Sequence, residues 1–146
     1  SEMKGIQGWF LKRLGCFSIN QLSPSLSALR YAIDIIKKGE QLVVFPEGKI
    51  NKYGKKLFLK EGLYRLARLA TKKTKSITII PIGIAYNKVS PNFRGEFCLS
   101  LGQPIAIDDY LNCTIKEFNI FLYEKMIQEE EKALKNVGRW ICNKLL

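Results

Sequence analysis

Gln41-Leu42-Val43-Val44-Phe45-Pro46-Glu47-Gly48-Lys49-Ile50-Asn51 is the stretch on which the reading of this 146-residue chain turns. Gln41 to Phe45 is an apolar run with strand character. Pro46 ends it, because proline has no N–H to give a ladder and fixes φ. A carboxylate, a glycine and a lysine follow at once. In open α/β sheets, ligands bind outside the carboxyl ends of strands. Gly48 there lets backbone approach a ligand closely, and Lys49 and Lys52 add positive charge. An ordinary proline–glycine loop would use the same residues, so composition alone leaves both readings open.

Upstream, Gly8 to Leu14 reads as a short helix and Cys16 to Ile19 as a strand. Ser23-Pro24 is a helix start, with serine as cap and proline at the first helical position. Leu26, Leu29, Ile33 and Ile36 then recur at three- and four-residue spacing until Gly39. Strand, helix and strand of this length form a βαβ unit with parallel strands. Downstream, Pro46 to Leu59 is a long basic loop, of a length usually functional or mobile. Gly62 to Lys73 reads as a helix with Leu63, Leu66, Ala67 and Ala70 inward, and Ile77 to Tyr86 as a buried strand. Glu96 to Leu101 is a further strand. Thr114-Ile115-Lys116-Glu117 is a capping box. It opens a long helix with Ile115, Phe118, Leu122 and Met126 on one face and Glu129 to Glu131 toward solvent. The pattern predicts a single α/β domain over residues 1–146, its mostly parallel, mixed central sheet flanked by helices.

With 47% apolar residues the chain can bury a core, yet no run reaches the ~18 apolar residues of a membrane-spanning helix. The net charge of +11 is unevenly placed. Residues 1–75 hold 16 Lys and Arg against 5 Asp and Glu, whereas residues 76–146 hold 8 of each. Such a basic segment implies an anionic partner (lipid headgroup, phosphorylated substrate or nucleic acid) or else a solvated lysine-rich surface. Between Lys49 and Lys75 only Tyr53, Phe58 and Tyr64 are aromatic, and no RNA-binding motif occurs, so nucleic acid is not the expected partner. Cys16, Cys98, Cys113 and Cys142 lack metal-binding spacing, and there is no histidine, so no metal site is expected. They read as reduced thiols, Cys16 and Cys98 buried in apolar strands, which fits a cytosol-facing compartment.

Phe45-Pro46-Glu47-Gly48 resembles the third sequence block of the glycerophospholipid acyltransferases, the superfamily that includes 1-acylglycerol-3-phosphate acyltransferase. Gly8-Trp9-Phe10 through Gly15-Cys16-Phe17 is similar to the second block, and Lys60-Glu61-Gly62 to the Lys-x-Gly that opens the next helix. Ile79-Ile80-Pro81-Ile82 resembles the fourth block, and Leu101-Gly102-Gln103-Pro104-Ile105 the later Gly-x-Pro. Five such matches stand in order between residues 8 and 105. The third block departs from the common Phe-Pro-Glu-Gly-Thr-Arg-Ser: Lys49, Ile50 and Asn51 give a Gly-Lys-x-Asn variant similar to that of tafazzin-like enzymes. The first block, His-x-x-x-x-Asp, has no counterpart.

The resemblance implies an O-acyltransferase that moves a fatty acyl group to the hydroxyl of a lysophospholipid such as 1-acylglycerol-3-phosphate. The donor would be acyl-CoA, acyl-ACP or a phospholipid, with no bound cofactor. It implies an acceptor pocket made by Phe45, Pro46, Glu47, Gly48, Lys49, Asn51 and Lys60, with Lys49 taking part of a phosphate-binding role usually given to arginine. It also implies that residues 1–146 are the C-terminal two-thirds of the catalytic domain, inactive alone because no catalytic residue lies in this chain. Trp9, Phe10, Lys12 and Arg13, with Lys52, Lys55 and Lys56, fit contacts to an anionic membrane surface on its cytoplasmic face; helix packing would use Trp9 and Phe10 equally well. A non-catalytic lipid-binding protein is the competing reading, and a basic nucleic-acid-binding domain a third.

Overall fold

The computed structural model describes residues 5–17, 25–49, 58–74, 76–89 and 94–139. Helices α1 (Gly5–Arg13), α2 (Leu26–Lys37) and α3 (Gly62–Thr71) precede four short strands, β1 (Thr78–Ile79), β2 (Ile82–Tyr86), β3 (Phe97–Leu101) and β4 (Ile105–Ala106). A single 3-10 turn, Ile107–Tyr110, leads to the long helix α4 (Ile115–Asn136).

The helix ends follow local chemistry. Ser25, not Ser23, caps α2: its hydroxyl accepts from the Ala28 N–H at 3.2 Å. Ser23 and Pro24 lie outside the described residues. At the far end Gly39 N–H donates to Ile36 and Glu40 N–H to Ile35, the paired bonds of a Schellman close. The capping box of α4 forms as the sequence predicts, Thr114 Oγ1 accepting from Glu117 N–H at 3.2 Å and Glu117 accepting from Thr114 N–H at 2.8 Å.

The main core joins α3, the 3-10 turn and α4 through Tyr64, Ala67, Ala70, Ile77, Ile105, Ile107, Phe118 and Leu122. Tyr64, which the sequence reading left off the inward face of α3, is its centre. The ring stacks on Phe118 at 4.7 Å, and the hydroxyl is shared between the carbonyls of Tyr110 (2.7 Å) and Cys113 (2.9 Å). A buried phenol is tolerable only with such partners.

A parallel central sheet does not appear among the described residues. Two antiparallel pairs do, β1 with β4 and β2 with β3. Gln41 to Phe45 joins no ladder with any of the described residues, and Val43, Val44 and Phe45 are exposed. Cys16 and Phe17 are not in a strand, and Ser18 and Ile19 lie outside the described residues, so the expected βαβ unit is not formed by what is described. Cys16 is exposed and Cys98 half-buried, not the buried thiols expected from strand contexts.

Ile77 to Tyr86 is two strands, not one, because Pro81 cannot donate to a ladder. The Pro81 carbonyl still accepts from Gly102 N–H at 2.8 Å, so the ribbon continues across the break. Register changes there: Ile79 faces Ile105 and Ile82 faces Leu101, leaving Ile80-Pro81 opposite Gly102-Gln103-Pro104. This is a bulge of one extra residue. It flips the alternation, so Ile105 and Ile107 turn inward although Cys98 and Ser100 face inward before it.

β2 inverts the usual rule. Gly83 and Ala85 face α4, while Ile82, Ile84 and Tyr86 face outward. A Cβ on Gly83 would overlap the backbone of Glu129 and Glu130, so only minimal side chains let α4 lie on this strand. Glu129, expected in solvent, is instead 5% exposed beneath β3. Ser100 Oγ donates to one of its oxygens at 2.5 Å and Lys132 to the other at 2.7 Å. These bonds hold the carboxyl below the usual range, lysine foremost and serine next, despite burial.

Candidate functional site

Phe45-Pro46-Glu47-Gly48 is a tight turn closed by the Gly48 N–H on the Phe45 carbonyl at 3.1 Å. Proline suits its second position, and Gly48 takes φ of 66°, a left-handed value that penalises other residues. Pro46 is buried and Glu47 and Gly48 are half-buried. The Lys60 N–H donates to the Pro46 carbonyl at 2.7 Å, which ties the turn to the start of α3. One residue earlier, the Leu59 carbonyl accepts from the Asn119 side-chain amide at 3.3 Å, tying the same strand of chain to α4.

Two further groups share this corner, and the sequence reading missed both. Burial raises the Tyr123 hydroxyl above its ordinary value, and the charges of Glu130 and Glu47 add to the effect. Partial desolvation likewise raises the carboxyl of Glu130, a residue that is exposed overall, followed by the charges of Glu47 and Glu131, while Arg139 opposes. Helical spacing placed Tyr123 and Glu130 on one helix, but no sequence signal names the turn that a helix will meet.

Of the expected pocket, the structure brings together Pro46, Glu47, Gly48 and the backbone of Lys60. Phe45 is 68% exposed, and the Lys49 and Lys60 side chains are exposed. Asn51, Lys52, Lys55 and Lys56 lie outside the described residues. On α1, Trp9 is exposed and carries the Arg13 guanidinium 5.0 Å from its ring centre, with Lys12 also in solvent. Phe10 belongs to α1, but its side chain is not among those described. A cavity of about 290 Å³ lies elsewhere, between the bulge and α4, lined by Gln103, Asp109, Lys125, Gln128 and Lys132 among others. Its acids and lysines balance, and no residue of the turn lines it. No described helix is long and apolar enough to cross a membrane, and no three described residues form a metal-binding cluster.

What the site offers is a half-buried carboxylate on a constrained turn, within a mixed helix-and-sheet scaffold and without an imidazole base. A family model described as Acyltransferase matches residues 2–85, more than half of the sequence, and the chain belongs to that family. It is also 29% identical over 105 residues to a 1-acyl-sn-glycerol-3-phosphate acyltransferase of Streptococcus pneumoniae (strain ATCC BAA-255 / R6). That alignment covers 71% of this chain and 37% of the relative, so the chain spans little more than a third of that protein's length. No solved structure gives a significant match.

Proposed function

We propose that this chain is the acceptor-side portion of a phospholipid acyltransferase, carrying an acyl group from acyl-CoA, acyl-ACP or a phospholipid to the free hydroxyl of a lysophospholipid such as 1-acylglycerol-3-phosphate. The turn at Glu47 carries this reading, since the family match includes it and the residue is half-buried on a turn tied to α3. In the reaction the hydroxyl oxygen bonds to the acyl carbonyl carbon and its proton passes to a base. The bond to the leaving thiol or alkoxide then breaks, and that group takes up a proton. Glu47 and Gly48 would position the acceptor, and Lys49 would stand near its phosphate as a point charge, without the bidentate fork of arginine.

The base must come from elsewhere, because the chain has no histidine and a glutamate carboxylate is a weak base for an alkyl hydroxyl. A His-x-x-x-x-Asp block upstream in the parent protein would supply it, and residues 1–146 alone would be inactive. The outer face of β2 and β3 supports a further layer. Ile82 pairs with Leu101, Ile84 with Leu99 and Tyr86 with Phe97, all six exposed among the described residues. A contiguous exposed apolar face of this kind marks a surface that another element or partner covers. Peripheral attachment to the cytoplasmic face of an anionic membrane follows from Trp9, Lys12, Arg13 and the basic segment.

The test is acyl transfer by the complete protein, with acyl-CoA and acyl-ACP offered separately to 1-acylglycerol-3-phosphate. Transfer that disappears when the upstream His is replaced by Ala supports the reading. A parent protein that has neither His nor Asp in the aligned upstream segment, and that binds lysophospholipid without turnover, establishes the non-catalytic alternative instead.

A further inference from the structure

We propose that residues 140–146 fold back over the outer face of β2 and β3 and supply part of the layer that this face calls for. The proposal goes beyond the acyl-transfer reading and does not depend on it. Ile82, Ile84, Tyr86, Phe97, Leu99 and Leu101 form three cross-strand pairs on that face, each residue between 38% and 68% exposed. Single exposed apolar side chains are ordinary, but six in one ladder mark a surface that something covers. The opposite face has no room at this end, because Ala85 and Cys98 already pack with Ala133, Leu134 and Val137 at the close of α4.

The path of the chain leads to the outer face. α4 closes at Gly138, with φ of 73°, and the Arg139 N–H donates to the Leu134 carbonyl at 2.9 Å. The Arg139 guanidinium donates to the Tyr86 carbonyl, also at 2.9 Å. The Asn87 N–H donates to the Glu96 carbonyl at 3.0 Å, so the backbone of Asn87 points toward β3 and the Tyr86 carbonyl, one residue back, points to the other edge of β2. No described strand pairs along that edge. Arg139 therefore brings the chain to an open edge, between the filled face and the bare one. Trp140 to Leu146 lie outside the described residues. Their composition suits the bare face: Trp140, Ile141, Cys142, Leu145 and Leu146 are apolar, and only Asn143 and Lys144 are polar. Their reach suits it too, since seven residues extend to ~23 Å, whereas the four steps from Tyr86 back to Ile82 span about 14 Å.

The experiment uses the complete protein. Ile84→Cys puts a thiol on the outer face, two residues from Tyr86, and Lys132→Cys puts one on the exposed side of α4, about two helical turns before Arg139. Under a mild thiol oxidant, peptide mass spectrometry should find the Ile84→Cys thiol joined to Cys142 within one chain, about tenfold more often than the Lys132→Cys thiol, because a disulfide forms only where the two backbones approach within about 7 Å. No link from Ile84→Cys, or one no more abundant than from Lys132→Cys, overturns the proposal. A link between two chains overturns it as well and assigns the face to a second copy. A second measurement leaves β2 untouched. Replacing Trp140, Ile141, Leu145 and Leu146 with Ser should raise binding of an apolar fluorescent dye several-fold while thermal unfolding stays cooperative. Unchanged dye binding overturns the proposal and leaves the face to the upstream segment.

Discussion

Gly83 and Glu129 touch through their backbones: a β-carbon on the glycine would overlap the glutamate carbonyl group. The contact is between β2 and α4 themselves, not between side chains. Gly83→Ala should therefore cost about 1–3 kcal/mol, as overpacking against backbone does. Gly62, at the start of α3, has nothing within 4 Å of the corresponding position. Gly62→Ala should gain about 0.4–1 kcal/mol through the unfolded chain. Urea unfolding of the two variants checks the pair, and equal effects would mean that α4 does not lie against β2.

Tyr64→Phe should destabilise by about 1–2 kcal/mol, since the carbonyls of Tyr110 and Cys113 lose their shared donor while the ring still fills the core. Thermal unfolding measures this. A neutral result would show that water replaces the hydroxyl.

Acid should destabilise the chain through Glu117 and Glu129. Both are held below the usual carboxyl range, Glu117 by the Thr114 N–H and hydroxyl and Glu129 by Lys132 and Ser100. Their contribution is present above the unfolded glutamate value of about 4.3 and is lost as pH falls through the lowered folded values. Glu130 has the opposite sign. Its raised affinity makes stability decline as pH rises from the unfolded value through the folded one. Glu117→Gln and Glu129→Gln should flatten the acid limb of a stability–pH curve, and Glu130→Gln should flatten the decline above it.

Glu47→Gln in the complete protein should abolish acyl transfer with little change in thermal midpoint, because the charge is half-buried at a turn rather than in the core. Gly48→Val should be inactive too, with added strain at φ of 66°. A folded Glu47→Gln variant with near-normal turnover would remove this turn from the acceptor pocket.

Replacing Lys52, Lys55 and Lys56 with Gln should weaken sedimentation with anionic vesicles. Each basic residue near such a surface is worth about 1 kcal/mol, screened over roughly 8 Å at physiological salt. Wild-type binding should fall steeply as salt rises. Binding to single-stranded RNA with the same salt dependence, and none to vesicles, would favour the nucleic-acid reading.

Local chemistry was legible in the sequence and tertiary pairing was not. The Thr114–Glu117 box, the close at Gly39 and the inward Phe118 and Leu122 each depend on residues a few positions apart. Ser25 displaced Ser23 as cap because neighbouring serines offer the same oxygen two residues apart. The parallel sheet was inferred from strand–helix–strand spacing, yet a strand needs a neighbour, and Val43 to Phe45 has none among the described residues. Glu129 read as solvent-facing because three consecutive glutamates conceal which one meets Ser100. For the site, the turn was visible as a motif, whereas Tyr123 and Glu130 became visible only once α4 was laid beside it.

The bulge opposite Pro81 gives the chain one spare residue. Ser100 and Ile105 face the same side although they stand five residues apart, which a regular ribbon would forbid. Removing one residue from Gly102-Gln103-Pro104 would leave them four apart, and plain alternation would then keep Ile105 and Ile107 in the core. A single-codon deletion here should therefore be tolerated better than one inside β2, where Gly83 must stay against α4.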